Sequence, residues 1–234
     1  MAMARYLAVT AAEMEENPQI SAPAAILGPT FTQEPPGISS LPEHFPEGSV
    51  LMVSDLILPQ PHIMNPICDA LRQFVFSTGC QNLILDFQQP GKETAAALIH
   101  LLLQELPCSV IVSDLYAQEL SCPVFLSPLP YCKKLTKHLA PWKNRDIWLD
   151  LSAQPEIVTL HEQGINTCIP EQFRQRMPCH EDAALFCHYT IAKTENSAEF
   201  TMWRTKADLE HLLTEAENCG IKAAVALFQE WNKL

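Results

Sequence analysis

The sequence predicts an α/β protein of the (β/α)8 TIM-type barrel class with a Pro-rich N-terminal segment, and three observations predict it. From Ser49 onward, short apolar runs suited to buried strands alternate with stretches of helical periodicity, the pattern of a parallel sheet with helices outside. The chain's 234 residues, 47% hydrophobic and 18% charged, suit a folded domain with a sizeable core, and one such barrel takes about 200–250 residues. No G-x-G-x-x-G or phosphate loop occurs among the seven glycines, which favours a closed barrel over a doubly wound nucleotide binder.

In chain order, residues 1–48 read as an irregular segment packed on the barrel, with residues 1–234 forming a single domain. Tyr6 to Thr10 and Ala24 to Leu27 are short strands, and eight strands can be drawn with or without the second. Pro18, Pro23, Pro29, Pro35, Pro36, Pro42 and Pro46 argue for extended, ordered loops. Ile26, Leu27, Phe31, Ile38, Leu41 and Phe45 supply their apolar anchors. Val50 to Ile57 is a strand. Asn65-Pro66 reads as an N-cap with Pro at the first helical position, and Ile67, Leu71, Phe74 and Val75 form one helical stripe ended by Gly79. Leu83 to Phe87 is a strand and Glu93 to Leu106 a helix. Ser109 to Val112 and Val124 to Leu126 are strands, Tyr131 to Ala140 a helix, and Ile147 to Leu151 a strand. Pro155 to Gln163 is expected to be a helix stopped by Gly164, and Leu185 to Ile191 a strand. Thr205 and Asp208 make a capping box for a helix that buries Leu209, Leu212, Leu213 and Ala216 and ends at Gly220. Ala223 to Phe228 closes the fold.

The formal charge of −12 disfavours a nucleic-acid partner, which needs clustered Lys and Arg. The densest basic group, Lys133, Lys134 and Lys137, reads as a solvated helix face. No apolar run reaches the ~18–20 residues of a membrane span, so no membrane partner is expected. Met1 to Glu16 lacks the apolar core and cleavage site of an export signal, and a cytoplasmic location is expected. The nine cysteines are scattered in apolar segments, as reduced thiols used as small hydrophobes. Cys68, Cys80, Cys108, Cys168 and Cys219 should be largely buried and unpaired.

The most informative stretch is Gly79-Cys80-Gln81-Asn82-Leu83-Ile84-Leu85-Asp86-Phe87-Gln88, a buried strand after a helix that ends in polar residues. Alternation points Ile84, Asp86 and Gln88 to one face and Leu83, Leu85 and Phe87 to the other. Asp86 and Gln88 stand at the C-terminal end of the strand, where barrel enzymes place their chemistry. The stretch resembles the strand that carries the D-x-x-D-x-D-x-E signature of family 18 glycoside hydrolases, the chitinases and their relatives. On that signature the acidic positions are Gln81, Ile84, Asp86 and Gln88. The resemblance implies that Asp86 matches the Asp that orients the substrate's acetamido group and that Gln88 replaces the proton-donating Glu. It also covers Phe200 to Phe228 as the family's C-terminal unit, with Leu227 or Phe228 where many relatives carry a Trp floor. His188-Tyr189 would correspond to the family's M-x-Y-D strand, with Thr190 in place of the acid, so that the resemblance runs from about Ser49 to the C-terminus.

Cys179-His180 and Cys187-His188 lack the short intervals of structural zinc sites, so neither a metal nor another cofactor is expected. A catalytic Cys–His pair has no distinguishing signature either. Carboxylates near strand ends are Glu13, Asp55, Asp86, Asp114, Asp150 and Glu230. For Asp55, Asp114 and Asp150 the plain reading is capping of the following helix. The candidate ligand-binding residues are Asp86, Gln88, Tyr189, Asp55, Asp150 and Glu230, with no catalytic residue assigned. The expected function is a non-catalytic, glycoside-hydrolase-like barrel binding a carbohydrate or other small ligand at the C-terminal rim. An active hydrolase with relocated carboxylates and a protein-interaction scaffold are the alternatives.

Overall fold

The computed structural model describes residues 2–17, 20, 23–162, 164–174, 179–193 and 196–232. The elements open with β1 (Ala4–Thr10), α1 (Ala11–Glu16), β2 (Ala24–Leu27), β3 (Thr30–Gln33) and β4 (Pro36–Ser39). Next come β5 (Val50–Ser54), α2 (Met64–Thr78), β6 (Asn82–Asp86), α3 (Glu93–Glu105), β7 (Ser109–Ser113) and β8 (Val124–Leu126). They continue with α4 (Leu135–Leu139), β9 (Ile147–Leu151), β10 (Glu156–His161), β11 (Gly164–Cys168) and β12 (His180–Asp182). The last are β13 (Cys187–Lys193), β14 (Ser197–Trp203), α5 (Lys206–Asn218), β15 (Ala223–Leu227) and α6 (Phe228–Trp231).

The chain forms two compact units. The first holds residues 1–127, 144–150 and 221–228. In it the strands close into a barrel in the order β1-β15-β9-β8-β7-β6-β5-β2, the TIM-type barrel expected from the sequence. The count of eight includes Ala24–Leu27, so the N-terminal segment supplies two barrel strands and the β3–β4 hairpin besides its loops. Alternation sorts the side chains. Tyr6, Met52, Ile84, Ile111, Phe125 and Trp148 fill the interior, while Leu83, Leu85 and Phe87 pack outside β6 and are fully buried. In α2, Ile67, Leu71, Phe74 and Val75 are buried, and the helix stops where Gly79 takes a left-handed φ of 69°. The helix starts earlier than Asn65-Pro66 suggests. A 3-10 turn at Pro61–Ile63 runs directly into Met64, so Asn65 lies inside the first turn and caps nothing.

The second unit holds residues 128–143, 151–220 and 229–234, and its sheet is antiparallel with strand order β11-β10-β14-β13-β12. Tyr131, Val158, Cys187 and Met202 form its core cluster. Arg204 is buried over the Tyr131 ring at 4.1 Å and donates through Nη2 to the Leu129 carbonyl at 2.8 Å. The helix expected over Pro155 to Gln163 is instead strand β10, Glu156–His161, with Gln163 outside the described residues. Its Ile157, Val158, Thr159 run is β-branched, and pairing with β11 and β14 decides the outcome over local propensity. The helix expected over Tyr131 to Ala140 shortens to α4 followed by a 3-10 turn at Ala140–Trp142, where Pro141 ends the α-helical ladder. The Thr205–Asp208 capping box is present, and Leu209, Leu212, Leu213 and Ala216 are the buried stripe of α5.

Cys68 and Cys80 are buried as expected, Cys108 is half-buried, and Cys168 and Cys219 are exposed. Cys168 ends the exposed strand β11 and Cys219 caps the C-terminus of α5, positions that a scattered-cysteine argument does not resolve.

Leu85 lies at zero exposure outside the barrel wall, so Leu85→Ala should cost about 2–5 kcal/mol of stability through a cavity the wall is unable to fill. Urea denaturation of the two proteins measures it.

Candidate functional site

The site follows from the register of β6, the fourth barrel strand in sequence. Ile84 belongs to the barrel interior, so Asp86, two residues on, faces the same way at the C-terminal mouth. Phe87 turns outward, with its ring edge-on to Phe31 at 6.2 Å and to Tyr116 at 6.3 Å. Gln88 is exposed, and its side-chain Nε2 donates to Asp86 Oδ1. The two residues that the signature singles out are therefore hydrogen-bonded to each other.

Asp55, at the end of β5, is buried. Its Oδ1 accepts from the Gln88 backbone N–H at 3.1 Å and its Oδ2 from that of Gln89 at 2.8 Å. The Gln89 side chain returns the contact, donating to the Asp55 carbonyl at 2.8 Å. The carboxylate thus holds the loop after the neighbouring strand rather than capping a helix of its own. Ser113 Oγ donates to the Phe87 carbonyl at 2.8 Å, and Tyr116 Oη donates to that of Gln89. Asp114 accepts from Ser127 Oγ at 2.7 Å. Ser113, Tyr116 and Ser127 are framework residues that the sequence alone did not single out. A polar residue at or just beyond the end of a barrel strand is the signal they share.

Burial pushes the Asp86 carboxyl above the usual carboxylate range, the Gln88 amide pulls it back, and the charges of Asp55 and Asp114 push it up again. Exposed aliphatic side chains flank this polar centre: Leu56 and Ile57 after β5, and Leu115 after β7.

The other candidates sit elsewhere in their own surroundings. Asp150 is half-buried near the end of β9, on the same side of that strand as the interior Trp148. Glu230 belongs to the second unit, where its Oε2 accepts from Ser152 Oγ at 3.1 Å and from Ala153 N at 2.7 Å. Tyr189 is on β13 of the antiparallel sheet, stacked with His180 at 5.2 Å and tilted against Phe200 at 6.1 Å. Its expected correspondence with a barrel strand is therefore corrected. The mixed run His188-Tyr189-Thr190-Ile191-Ala192-Lys193 suits a sheet with one wetter face, whereas buried parallel strands are continuously apolar. His188 Nδ1 lies 2.9 Å from Asp208 Oδ2 and its ring stacks on Trp203. Among the described residues no group of three or more His, Cys, Asp or Glu could hold a metal ion.

No family model matches the chain, and no curated protein matches it in sequence. Solved structures do match in fold. The class V chitinase of Nicotiana tobaccum superposes with a TM-score of 0.63 at 7% identity, over 97% of this chain and 93% of that one. The Bacillus cereus spore cortex-lytic enzyme SleL gives 0.61 at 8% identity, over 99% of this chain and 74% of that one. A GH18 chitinase of Cycas revoluta in complex with (GlcNAc)3 gives 0.58 at 8% identity, covering 95% and 94%. A glutamate-to-glutamine mutant of the tobacco enzyme, in complex with NAG4, gives 0.59 at 7% identity and covers 97% and 93%. The chain has a chitinase-like barrel fold, as the strand around Asp86 suggests.

Because the folded-state carboxyl of Asp86 is raised, its ionised form opposes folding, and the protein should gain stability as pH falls through that raised value. Asp86→Asn should therefore raise the melting temperature at pH 7, by about 2–4 °C for each 1 kcal/mol gained. The advantage should vanish below pH ~4, where both folded and unfolded Asp86 are protonated. Calorimetry of the two proteins from pH 3 to 8 checks the sign.

Proposed function

We propose that this chain is a non-catalytic, chitinase-like barrel that holds an N-acetylated sugar, or a small ligand of like hydrogen-bonding chemistry, at the C-terminal mouth. The observation that carries the reading is the Gln88–Asp86 pair. The resemblance puts a proton donor at 88, and an amide has no proton to deliver to a leaving oxygen. Loss of general acid catalysis alone removes about 10²–10⁴ in rate. The pair keeps its binding chemistry: the Gln88 carbonyl accepts, its second N–H donates, and Asp86 is a half-buried carboxyl facing the mouth. Two complexes support a sugar as the ligand: (GlcNAc)3 with the Cycas enzyme and NAG4 with the glutamate-to-glutamine form of the tobacco enzyme.

In this reading Asp86 and Gln88 touch the ligand, with Asp150 a further mouth carboxylate. Asp55 positions Gln88 through the backbone, Glu230 holds the 152–153 turn, and Tyr189 offers an aromatic face on its own sheet. A reducing, cytoplasmic setting agrees with the thiols. Burial pushes Cys108 up to about 11 and Cys187 up to about 12, which leaves them protonated packing groups. One observation favours a second reading, an active hydrolase with a relocated acid. The raised Asp86 carboxyl has the property a general acid needs.

Titration of the purified chain with (GlcNAc)4, alongside an assay for its cleavage, separates the readings. Binding without turnover is expected, and Gln88→Ala should weaken binding about three- to tenfold, the effect of losing one hydrogen-bonding group. Gln88→Glu should remain nearly inactive, because Ile84 still stands where the family has a second Asp and Leu227 supplies no aromatic floor. Turnover by the unmodified chain that is abolished by Asp86→Ala and untouched by Gln88→Ala would put the second reading first. Neither binding nor cleavage at millimolar sugar would end both.

A further inference from the structure

The opposite end of the barrel holds a pocket that the reading above leaves unused. It has a volume of ≈ 530 Å³ and lies at the N-terminal ends of β5 and β6, lined by Tyr6, Glu47, Thr78, Gln81, Asn82 and Phe45 among others. That volume is within the roughly 300–1,000 Å³ range of small-molecule sites. Its walls are fixed. Tyr6 is stacked on Trp148 at 5.3 Å with an interplanar angle of 17°, Phe45 meets Phe74 edge-on at 5.3 Å, and the buried Ser49 hydroxyl accepts from the Ala24 N–H at 3.1 Å.

Among the described residues, four of the lining side chains have polar groups that no protein group engages. Tyr6 is 9% exposed, and its hydroxyl bonds to no protein group among the described residues. The same holds for the side chains of Asn82, Gln81 and Glu47. Asn82 shares the interior face of β6 with Ile84, so its amide and the Tyr6 phenol lie inside the same barrel mouth. These groups are open to the pocket rather than sealed from it, so their hydrogen-bonding capacity is available to a molecule that enters. Burial also raises the Tyr6 phenol, which keeps it a donor across the working pH range.

The charge of the lining selects among ligands. Among the described residues Glu47 is the one formally charged residue of the lining, which holds no Lys, Arg or His. The chain as a whole carries −12. An anion would meet repulsion with no compensating donor of positive charge, while an ammonium would meet a carboxylate. The Tyr6 phenol and the carboxamides of Gln81 and Asn82 suit the hydroxyl groups of a compact polyol.

We propose that the N-terminal mouth of the barrel is a second small-molecule site, selective for a monosaccharide-sized amino-polyol, a hydroxylated ligand bearing an ammonium group. Tyr6 and Asn82 hydrogen-bond its hydroxyls and Glu47 meets its charge. The site is independent of the C-terminal mouth and stands whether or not Asp86 and Gln88 bind sugar.

The test is a set of ¹H–¹⁵N NMR titrations of the full chain with glucosamine, glucose and gluconate, which share a carbon frame and differ in charge. Glucosamine should shift the amides of Gly48 and Gly79 and the side-chain amide of Asn82, glucose more weakly, and gluconate not at all. Gln88→Ala should leave these shifts unchanged, which separates this site from the other end of the barrel. Tyr6→Phe keeps the ring on Trp148 and should weaken glucosamine about three- to tenfold. The exposed Glu47→Gln change puts no core packing at risk and should erase the preference for glucosamine over glucose, an effect of about two- to fivefold. Absence of shifts at these positions with any of the three, or gluconate binding as well as glucosamine, would overturn the proposal.

Discussion

A closed parallel barrel leaves each strand residue two destinations, and the two-residue period of β6 decides which one Asp86 takes. Leu83, Leu85 and Phe87 have no exposure outside the wall, and Ile84 has none inside it. A slip of one residue would turn all four to the wrong side and bury a carboxylate under the helices, so the register is strongly specified. Phe87 helps to fix it, since its ring meets Phe31 and Tyr116 edge-on. The position of the Asp86 carboxyl is thus set by apolar neighbours that never touch it.

Three carboxylates gather along β5, β6 and β7, and the fold compensates them unequally. Asp55 is the most buried, and its two oxygens each accept a backbone N–H bond. Asp114 has the Ser127 hydroxyl. Among the described residues Asp86 has the Gln88 side chain as its donor, against burial and the charges of the other two. A carboxyl raised in this way weakens the fold at neutral pH. Residues kept at a cost to stability are the ones that function explains better than packing does.

How much of this was legible in the sequence depends on whether a residue's partners are local. Gly79 ends α2, and Thr205 with Asp208 opens α5, because caps act within one turn of chain. The barrel strands 82–86, 124–126 and 147–151 were readable as apolar runs between turn residues. Asp86 and Gln88 were readable because alternation and strand position suffice to place them. Asp55 was misread for the opposite reason: its partners are 33 and 34 residues away, and the local alternative of a helix cap is generic. The strand Glu156–His161 was missed because an antiparallel hairpin competes with a helix only through pairing with β11 and β14. Tyr189 was placed in the wrong sheet on the strength of one motif. The alternation of wet and apolar residues around it already favoured a half-exposed hairpin.

The chemistry at position 88 can be argued from charge alone. A glutamate there, if ionised, would add a fourth carboxylate to the group of Asp86, Asp55 and Asp114 and would remove the one donor that Asp86 now has. Like charges at such range leave one carboxyl protonated, which is how an acid at that position would come to hold the proton it donates. The amide removes that conflict. It supplies the hydrogen bond permanently, independent of pH, and leaves no proton to transfer. A neutral donor beside a raised carboxyl therefore stabilises the site without adding a further charge to it. With Gln88 in that place, the Asp86 carboxyl has beside it a hydrogen-bond donor that carries no charge of its own.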